Sequence, residues 1–210
     1  EHTDNLELIQ DCVDEIIVED GKVKGIITRL GIEYYADTVV LATGTFLKGK
    51  IVIGDVAYSA GRQGENSAEK LSDSLREHGI TIERYQTATP PRLDRRSIDF
   101  SKMKELRGEE HPRYFSIFTE KERNNTVPTW LTYTTEKTIE VAKEMLQYSP
   151  IVSGIIKTHG PRHCPSLDRK VINFPDKTNH QIFLELESAD SEEVYVNGLT
   201  TAMPPFAQEA

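Results

Sequence analysis

The chain has 210 residues, 37% of them hydrophobic and 28% charged, with a formal net charge of −9. Such a composition suits one large globular domain or two small ones with a real core, and excludes a fibrous or disordered chain. The acidic balance argues against a generic nucleic-acid binder, whose footprint is basic. The apolar runs are too short for a membrane-spanning helix. The opening EHTDNLELIQ lacks the basic and apolar regions of a signal peptide. Cys12 and Cys164 lie far apart, so no disulfide framework is expected and a reducing cytoplasm is the default location. The chain does not begin with Met and is expected to be an internal piece of a longer protein.

Residues 6–42 read as a β-rich run with turn signals at Glu19-Asp20-Gly21 and Leu30-Gly31. Asp20-Gly21 suits a tight hairpin, because glycine tolerates positive φ. Cys12 alternates with Leu6 and Leu8 along the same run, which makes it a core residue. Val39-Val40-Leu41-Ala42 is continuously apolar, as a strand covered on both faces would be. A helix is expected over Ser67–His78, with Asn66 as its cap and Gly79 as its stop. Pro90-Pro91 can neither continue a helix nor serve a central strand, so a boundary belongs there. Beyond it a short helix is expected over Ser101–Arg107 and a longer one over Glu136–Tyr148, capped by Thr135. Strands are expected at Tyr114–Phe118, Thr129–Thr134, Lys170–Phe174, Gln181–Glu185 and Glu193–Val196. Helices and strands here do not alternate regularly, which points to α+β architecture.

The segment Gly44–Ile51 superficially matches a phosphate-binding loop, but Ile51 stands where a magnesium-binding hydroxyl belongs. A strand ending in Ala42-Thr43-Gly44 instead suits close backbone approach to a flavin nucleotide, or is a plain strand-ending turn. No G-x-G-x-x-G occurs in the sequence, so the pyrophosphate turn of a dinucleotide fold is not supplied by these residues. A loosely basic stretch gathers Arg92, Arg95, Arg96, Lys102 and Lys104, and its simplest reading is a solvated loop.

Gly160-Pro161-Arg162-His163-Cys164-Pro165-Ser166 is the chemically richest stretch. A thiol beside a guanidinium and an imidazole is biased toward thiolate, the nucleophilic form, and Arg162 can grip a phosphate or carboxylate. The alternative is a surface loop whose cysteine is a small, inert hydrophobe. His159, His163, Cys164 and His180 match no common zinc spacing, so no metal site is expected. Trp130 and Tyr133 read as either a stacking platform or, more simply, core aromatics.

Several of these stretches together resemble the MnmG (GidA) family. Ala42–Gly49 resembles its TGTFL-x-G segment, and Thr87–Arg92 followed by Ser97–Phe100 resembles TGTPPR…IDFS. Val127–Thr134 with Glu136-Lys137-Thr138 resembles VPC-x-ITYTNEKT, and Gly160–Ser166 resembles GPRYCPS. His180–Glu185 resembles HQIFLE, and Tyr195–Pro204 resembles YPNGISTSLP. The resemblance implies a fold that is α/β with an α+β insertion. Residues 1–91 would be part of an FAD-binding, Rossmann-like domain, 92–202 a nicotinamide-nucleotide insertion domain, and 203–210 a return to the first.

It also implies an enzyme that uses FAD, NADH and methylenetetrahydrofolate to build an aminomethyl or carboxymethylaminomethyl group on C5 of the tRNA wobble uridine. The expected assembly is a homodimer with a partner GTPase of the MnmE family. Val13 matches a family FAD-contact position, and Ala42, Thr43 and Gly44 the flavin-facing strand end. Gly160, Pro161, Arg162, His163, Ser166, Lys170 and Phe174 fall in the family's nicotinamide stretch, and Cys164 matches a catalytic cysteine. Ala68 stands at a second FAD-contact position where Ser is common, with Ser67 beside it. Ala88, Thr129, His163, Leu186 and Ser188 also depart from the family pattern. The piece alone is expected to hold no stoichiometric FAD and to be inactive. The other readings are a folate-dependent tRNA uridine methyltransferase relative, against which Gly160–Ser166 counts, and a non-enzymatic binding module.

Overall fold

A computed structural model describes residues 3–119, 127–158, 160 and 166–210. The chain forms two compact units, one of residues 1–52 and 56–84, the other of 53–55 and 85–210.

The first unit is built on an antiparallel meander of β1 (Val13–Glu19), β2 (Lys22–Thr28) and β3 (Glu33–Tyr35). The β1–β2 turn is the expected tight hairpin. Asp20 and Gly21 both take positive φ, 50° and 73°, the conformation that matches strand twist in a two-residue loop. A second hairpin pairs β4 (Lys50–Ile53) with β5 (Val56–Ser59). Helix α1 (Leu71–Glu77) buries Leu71 and Leu75, and its Ser74 hydroxyl accepts from the Ile16 amide of β1 at 3.1 Å. Gly79, at φ +83°, ends the helix as expected.

The start of that helix differs from expectation. Residues 66–68 are spent elsewhere: Ala68 exchanges backbone bonds with Phe46 and Lys48 and bridges Leu47, while the Ser67 hydroxyl bonds Glu69 and Ser59. Helix α1 therefore begins later, at Leu71, without a side-chain cap. The run 39–42 is not a strand, and Val40 is 89% exposed. An apolar run becomes a strand only where another strand takes its backbone groups, and the described residues supply none. Cys12 is half-buried rather than core, since Leu6 and Leu8 of its supposed strand are exposed.

The second unit is a five-stranded antiparallel sheet. It contains β6 (Arg92–Asp94), β7 (Lys104–Leu106), β8 (Thr129–Tyr133), β9 (Gln181–Leu186) and β10 (Glu193–Asn197), in the order β6-β10-β9-β8-β7. Alternate residues Ile182, Leu184, Val194 and Val196 make one buried cluster, against which Ile98, Phe100, Met103 and Trp130 pack. Trp130 lies 4.3 Å from the Phe100 ring centroid, so it is a core aromatic. A second cluster joins Ile139 and Ala142 of α2 (Glu136–Met145) to Leu167 and Val171 of α3 (Leu167–Asn173). A short α4 (Pro205–Glu209) ends the chain.

Helix α2 starts as its sequence predicts. Thr135 accepts from the Thr138 amide at 3.2 Å, and the Thr138 hydroxyl receives the Thr135 amide at 3.4 Å, a reciprocal capping box. Thr135→Ala should cost about 1 kcal/mol, read as a lower urea midpoint, whereas Thr135→Ser should stay near wild type. An unchanged midpoint for the alanine variant would show that tertiary packing alone sets this helix start.

Three other expectations in this unit are corrected. The helix over 101–107 is one 3-10 turn, Phe100–Lys102, followed by β7, because Lys104–Leu106 finds β8 as a ladder partner. Residues 114–118 form no strand, and Phe115 and Ile117 are fully or almost fully exposed. The segment 170–174 is the end of α3, not a strand. Leu167 and Val171 lie four apart on one helical face, and Ser166 caps it through the Arg169 amide at 3.3 Å. The basic stretch is largely neutralised: Arg92 pairs with Glu187 at 2.7 Å, Arg96 with Asp94 at 2.6 Å and Lys102 with Asp99 at 3.3 Å. The Arg96 guanidinium holds the Asp94 carboxyl at about 2.

Candidate functional site

In the first unit a cleft of about 440 Å³ is lined by Asp14, Arg29, Ser59, Ser67, Glu69 and Lys70, among others. Asp14 follows Val13 at an irregularity in the β1–β2 ladder and is 4% exposed. Arg29 Nε lies 3.7 Å from Asp14 Oδ1, and Lys70 Nζ 3.3 Å from Oδ2. Asp14 Oδ1 is nevertheless buried without a hydrogen bond. Arg29 donates to the Ser67 carbonyl at 3.0 Å. The Ser59 and Ser67 hydroxyls both bond Glu69 and hold its carboxyl below the usual range. The cleft thus offers a buried acceptor, two cations and hydroxyls, a surface able to meet a polar nucleoside.

Val13 is half-buried on β1 and does not line the cleft, whereas Ser67, beside Ala68, does. Ala42, Thr43 and Gly44 lie apart from it in sequence, in a turn closed by the Phe46 amide on the Thr43 carbonyl at 3.0 Å. Ala42 and Gly44 are exposed there.

In the second unit, α3 is anchored at its first residues. Ser166 bridges Thr200, and the Leu167 amide donates to the Thr200 carbonyl at 2.6 Å. Asp168 is fully buried; its oxygens accept from the Thr201 hydroxyl at 3.0 Å and the Ala202 amide at 3.2 Å. Burial pushes its carboxyl up, against the opposing pull of the Ala202 amide and Thr201 hydroxyl. Three hydrogen bonds on Leu167 and Asp168 therefore tie down the start of α3. Pro161, Arg162, His163 and Cys164 lie outside the described residues.

Gly160 is half-buried, and a Cβ there would stand 3.5 Å from Arg169 Nε. Lys170 turns inward and donates to the carbonyls of Gly198 at 3.1 Å and Gln181 at 3.5 Å. Burial and the nearby Lys177 lower its ammonium pKa. Phe174 ends the helix and is 58% exposed. His180 is buried behind Thr134, with Nε2 unpartnered; burial, then Lys170 and Lys177, pull its imidazole down. The structure thus gathers Ser166, Lys170 and Phe174 on and at the ends of one short helix with Gly160 near its middle, while Val13 and Ser67 lie in the other unit. Sequence reasoning missed Asp14, Arg29, Asp168 and Arg169. Only the Ser166–Arg169 capping interval could have flagged the helix that carries the last two.

Comparison with known proteins agrees with this anatomy. A family model described as glucose inhibited division protein A matches residues 1–210. The tRNA uridine 5-carboxymethylaminomethyl modification enzyme MnmG 1 of Fusobacterium nucleatum is 73% identical over 219 residues, covering 100% of this chain and 35% of that protein. The MnmG enzyme of Geobacillus thermodenitrificans is 50% identical over 208 residues, covering 99% and 33%. The chain spans about a third of the length of the curated relatives it matches. Among solved structures, Aquifex aeolicus GidA in its form I crystal superposes with a TM-score of 0.83 at 43% identity, covering 99% of this chain and 36% of that one. Mixed strands and few helices are common ground between the two folds, and with the match running from the first residue to the last, the chain belongs to the glucose inhibited division protein A family.

Proposed function

We propose that this chain works as part of a flavin-dependent enzyme that installs a carboxymethylaminomethyl-type group on C5 of the tRNA wobble uridine. The observation that carries the reading is the family match across all 210 residues, joined by 73% identity to a protein named for that modification. In this reading residues 1–91 belong to the FAD-binding domain, 92–202 form the nicotinamide-nucleotide insertion and 203–210 return to the first domain. FAD, NADH and methylenetetrahydrofolate are its cofactors, and a second copy and an MnmE-type GTPase its partners, in the cytoplasm.

The residues present fit part of that cofactor set. Asp14 Oδ1, buried without a hydrogen bond, and the Ser59 and Ser67 hydroxyl oxygens suit a polar nucleoside such as the adenosine half of FAD. The pyrophosphate needs a glycine-rich turn that this sequence does not contain. For the nicotinamide nucleotide, the exposed Phe174 ring and the Gly160 backbone can meet a planar or polar group. Lys170 spends its ammonium on two carbonyls and acts there only by positioning α3. FAD would supply the redox step when bound. In this reading the chain's own chemical contribution is the Cys164 thiol.

The test is reconstitution of the intact protein with FAD, NADH, methylenetetrahydrofolate, its GTPase partner and unmodified tRNA, with nucleosides analysed by mass spectrometry. A C5-substituted uridine that disappears when any one component is withheld is the expected result. Absence of the product from the complete mixture, where the Fusobacterium relative makes it, would overturn the reading.

A further inference from the structure

Lys48 holds a backbone conformation that lysine rarely adopts. Its φ is +44°, in the left-handed region, where the Cβ of any residue but glycine is crowded by backbone. The other non-glycine residues there among the described residues are Asn5 and Asp20, types that tolerate it through local hydrogen bonding. The next position is glycine for want of space: a Cβ at Gly49 would run into the carbonyls of Thr45 and Ala60. At position 48 glycine would be the relaxed choice, yet lysine stands there. Its ammonium lies 2.9 Å from Oδ1 and 2.7 Å from Oδ2 of Asp73 on α1. Arg76 shares the same carboxylate at 2.9 Å, so the pair belongs to a network of three charges rather than an isolated surface contact. The Lys48 hydrogen bond, with Arg76 behind it, holds the Asp73 carboxyl below its usual range. From the backbone side, Arg84 donates to the Lys48 carbonyl at 3.0 Å. Strained geometry persists only where its surroundings over-determine it, and here side chain and carbonyl are both held.

The turn that this lysine closes joins two segments. The Phe46 amide bonds the Thr43 carbonyl at 3.0 Å, and the Phe46 carbonyl receives the Ala68 amide at 2.9 Å and the Gly49 amide at 3.3 Å. The Lys48 amide returns to the Ala68 carbonyl at 2.9 Å, and the Thr45 hydroxyl donates to the Gly61 carbonyl at 2.6 Å. Thr43-Gly44 and Ala68 are thus carried on one hydrogen-bonded frame, with Lys48 at its junction with α1. We propose that Lys48 is a positioning residue: its pairing with Asp73 ties the turn 43–49 to α1 and so fixes Thr43-Gly44 relative to Ala68. Both segments are read above as FAD-contacting, and the consequence for FAD rests on that reading. A turn already held in place loses less conformational freedom when a ligand meets it, so the tether acts by pre-organisation.

Hydrogen exchange of the intact protein at the amides of residues 48, 49 and 68 reads the tether. The FAD dissociation constant, with the absorbance and circular dichroism bands of the bound flavin, reads its consequence. In Lys48→Met exchange should rise about three- to tenfold, because the pair is lost and the strained backbone is left uncompensated. Asp73→Asn leaves residue 48 untouched, should act nearly as strongly, and decides the matter if Lys48→Met does not fold. Lys48→Arg should restore both readouts. Lys48→Gly relieves the backbone but removes the pair, so its exchange should fall between wild type and Lys48→Met. Protection in Lys48→Gly equal to or above wild type would show that the backbone alone keeps the turn, and would overturn the role of the pair. FAD affinity should weaken by about the same factor in Lys48→Met and Asp73→Asn, with altered flavin bands. Raised exchange with wild-type FAD affinity and spectrum overturns the positioning role, and unchanged exchange in both variants overturns the tether itself. If the wild type binds no FAD, the flavin reading fails on its own account, and the exchange ranking alone upholds or overturns the tether.

Discussion

Replacing Cys164 by serine is expected to lower tRNA modification by the intact enzyme on the order of a thousandfold or more, the scale at which nucleophile removal acts, while NADH still reduces the flavin. Uracil C5 is a poor nucleophile until C6 carries an added group. A thiolate that bonds to C6 moves the C5=C6 electron pair toward C5 and O4, giving an enolate-like species. Once C5 has taken the one-carbon unit, loss of its proton restores the double bond and expels the thiolate, so the thiol is regenerated. Serine keeps the size and hydrogen bonding but not the acidity or softness of the sulfur. The chain supplies two thiols, and Cys12 lies at the start of β1 with its carbonyl taken by the Arg29 amide at 2.7 Å. Modification and flavin reduction are measured side by side. Lost modification with normal reduction supports the thiol step; loss of both moves Cys164 to the nicotinamide site; near-normal modification removes it from the chemistry.

Local chemistry was legible and partnership was not. The Asp20-Gly21 hairpin and the Thr135 cap depend on neighbours within a few residues, so pattern reading reached them, and the strand-like runs around 130, 183 and 195 each found a ladder partner. Val39–Ala42 and Tyr114–Phe118 have equally strand-like composition, yet no described strand accepts their backbone groups. Lys104–Leu106 shows the reverse: weak strand composition becomes β7 because β8 lies beside it. The helix α3 was hidden by Pro165, which breaks a helix in its interior but is tolerated just before the cap at Ser166.

The candidate site divides along the same line. Gly160–Ser166 stands out in sequence because Arg, His and Cys fall within three residues. Asp14, Asp168 and Arg169 carry no such signature, for their significance lies in burial and in which partners they have or lack. Asp14 looks like one acid in an alternating strand until its neighbours prove to be Arg29 and Lys70. Arg169 looks like any helical surface arginine until Nε is found covered and unpaired.

Asp168→Ala should destabilise the second unit by about 2–4 kcal/mol, because it strands the Ala202 amide and the Thr201 hydroxyl in a buried place. Asp168→Asn tests a subtler point. Burial raises the carboxyl pKa in the folded chain above its ordinary value, so the protonated form is favoured by folding. The stability this contributes is fully present below the ordinary carboxylate range and is lost as pH rises through the raised folded value. The neutral asparagine keeps an acceptor oxygen and does not titrate. Its stability relative to wild type should therefore improve as pH rises from strongly acidic toward neutral, whereas the alanine deficit contains no such compensating acceptor. Urea unfolding followed through Trp130, the single tryptophan of the chain and part of the same unit, measures both variants across that range. A wild-type-minus-asparagine difference that stays flat with pH would mean that Asp168 titrates alike in the folded and unfolded chain, and that its burial is fully offset by the two donors that hold it.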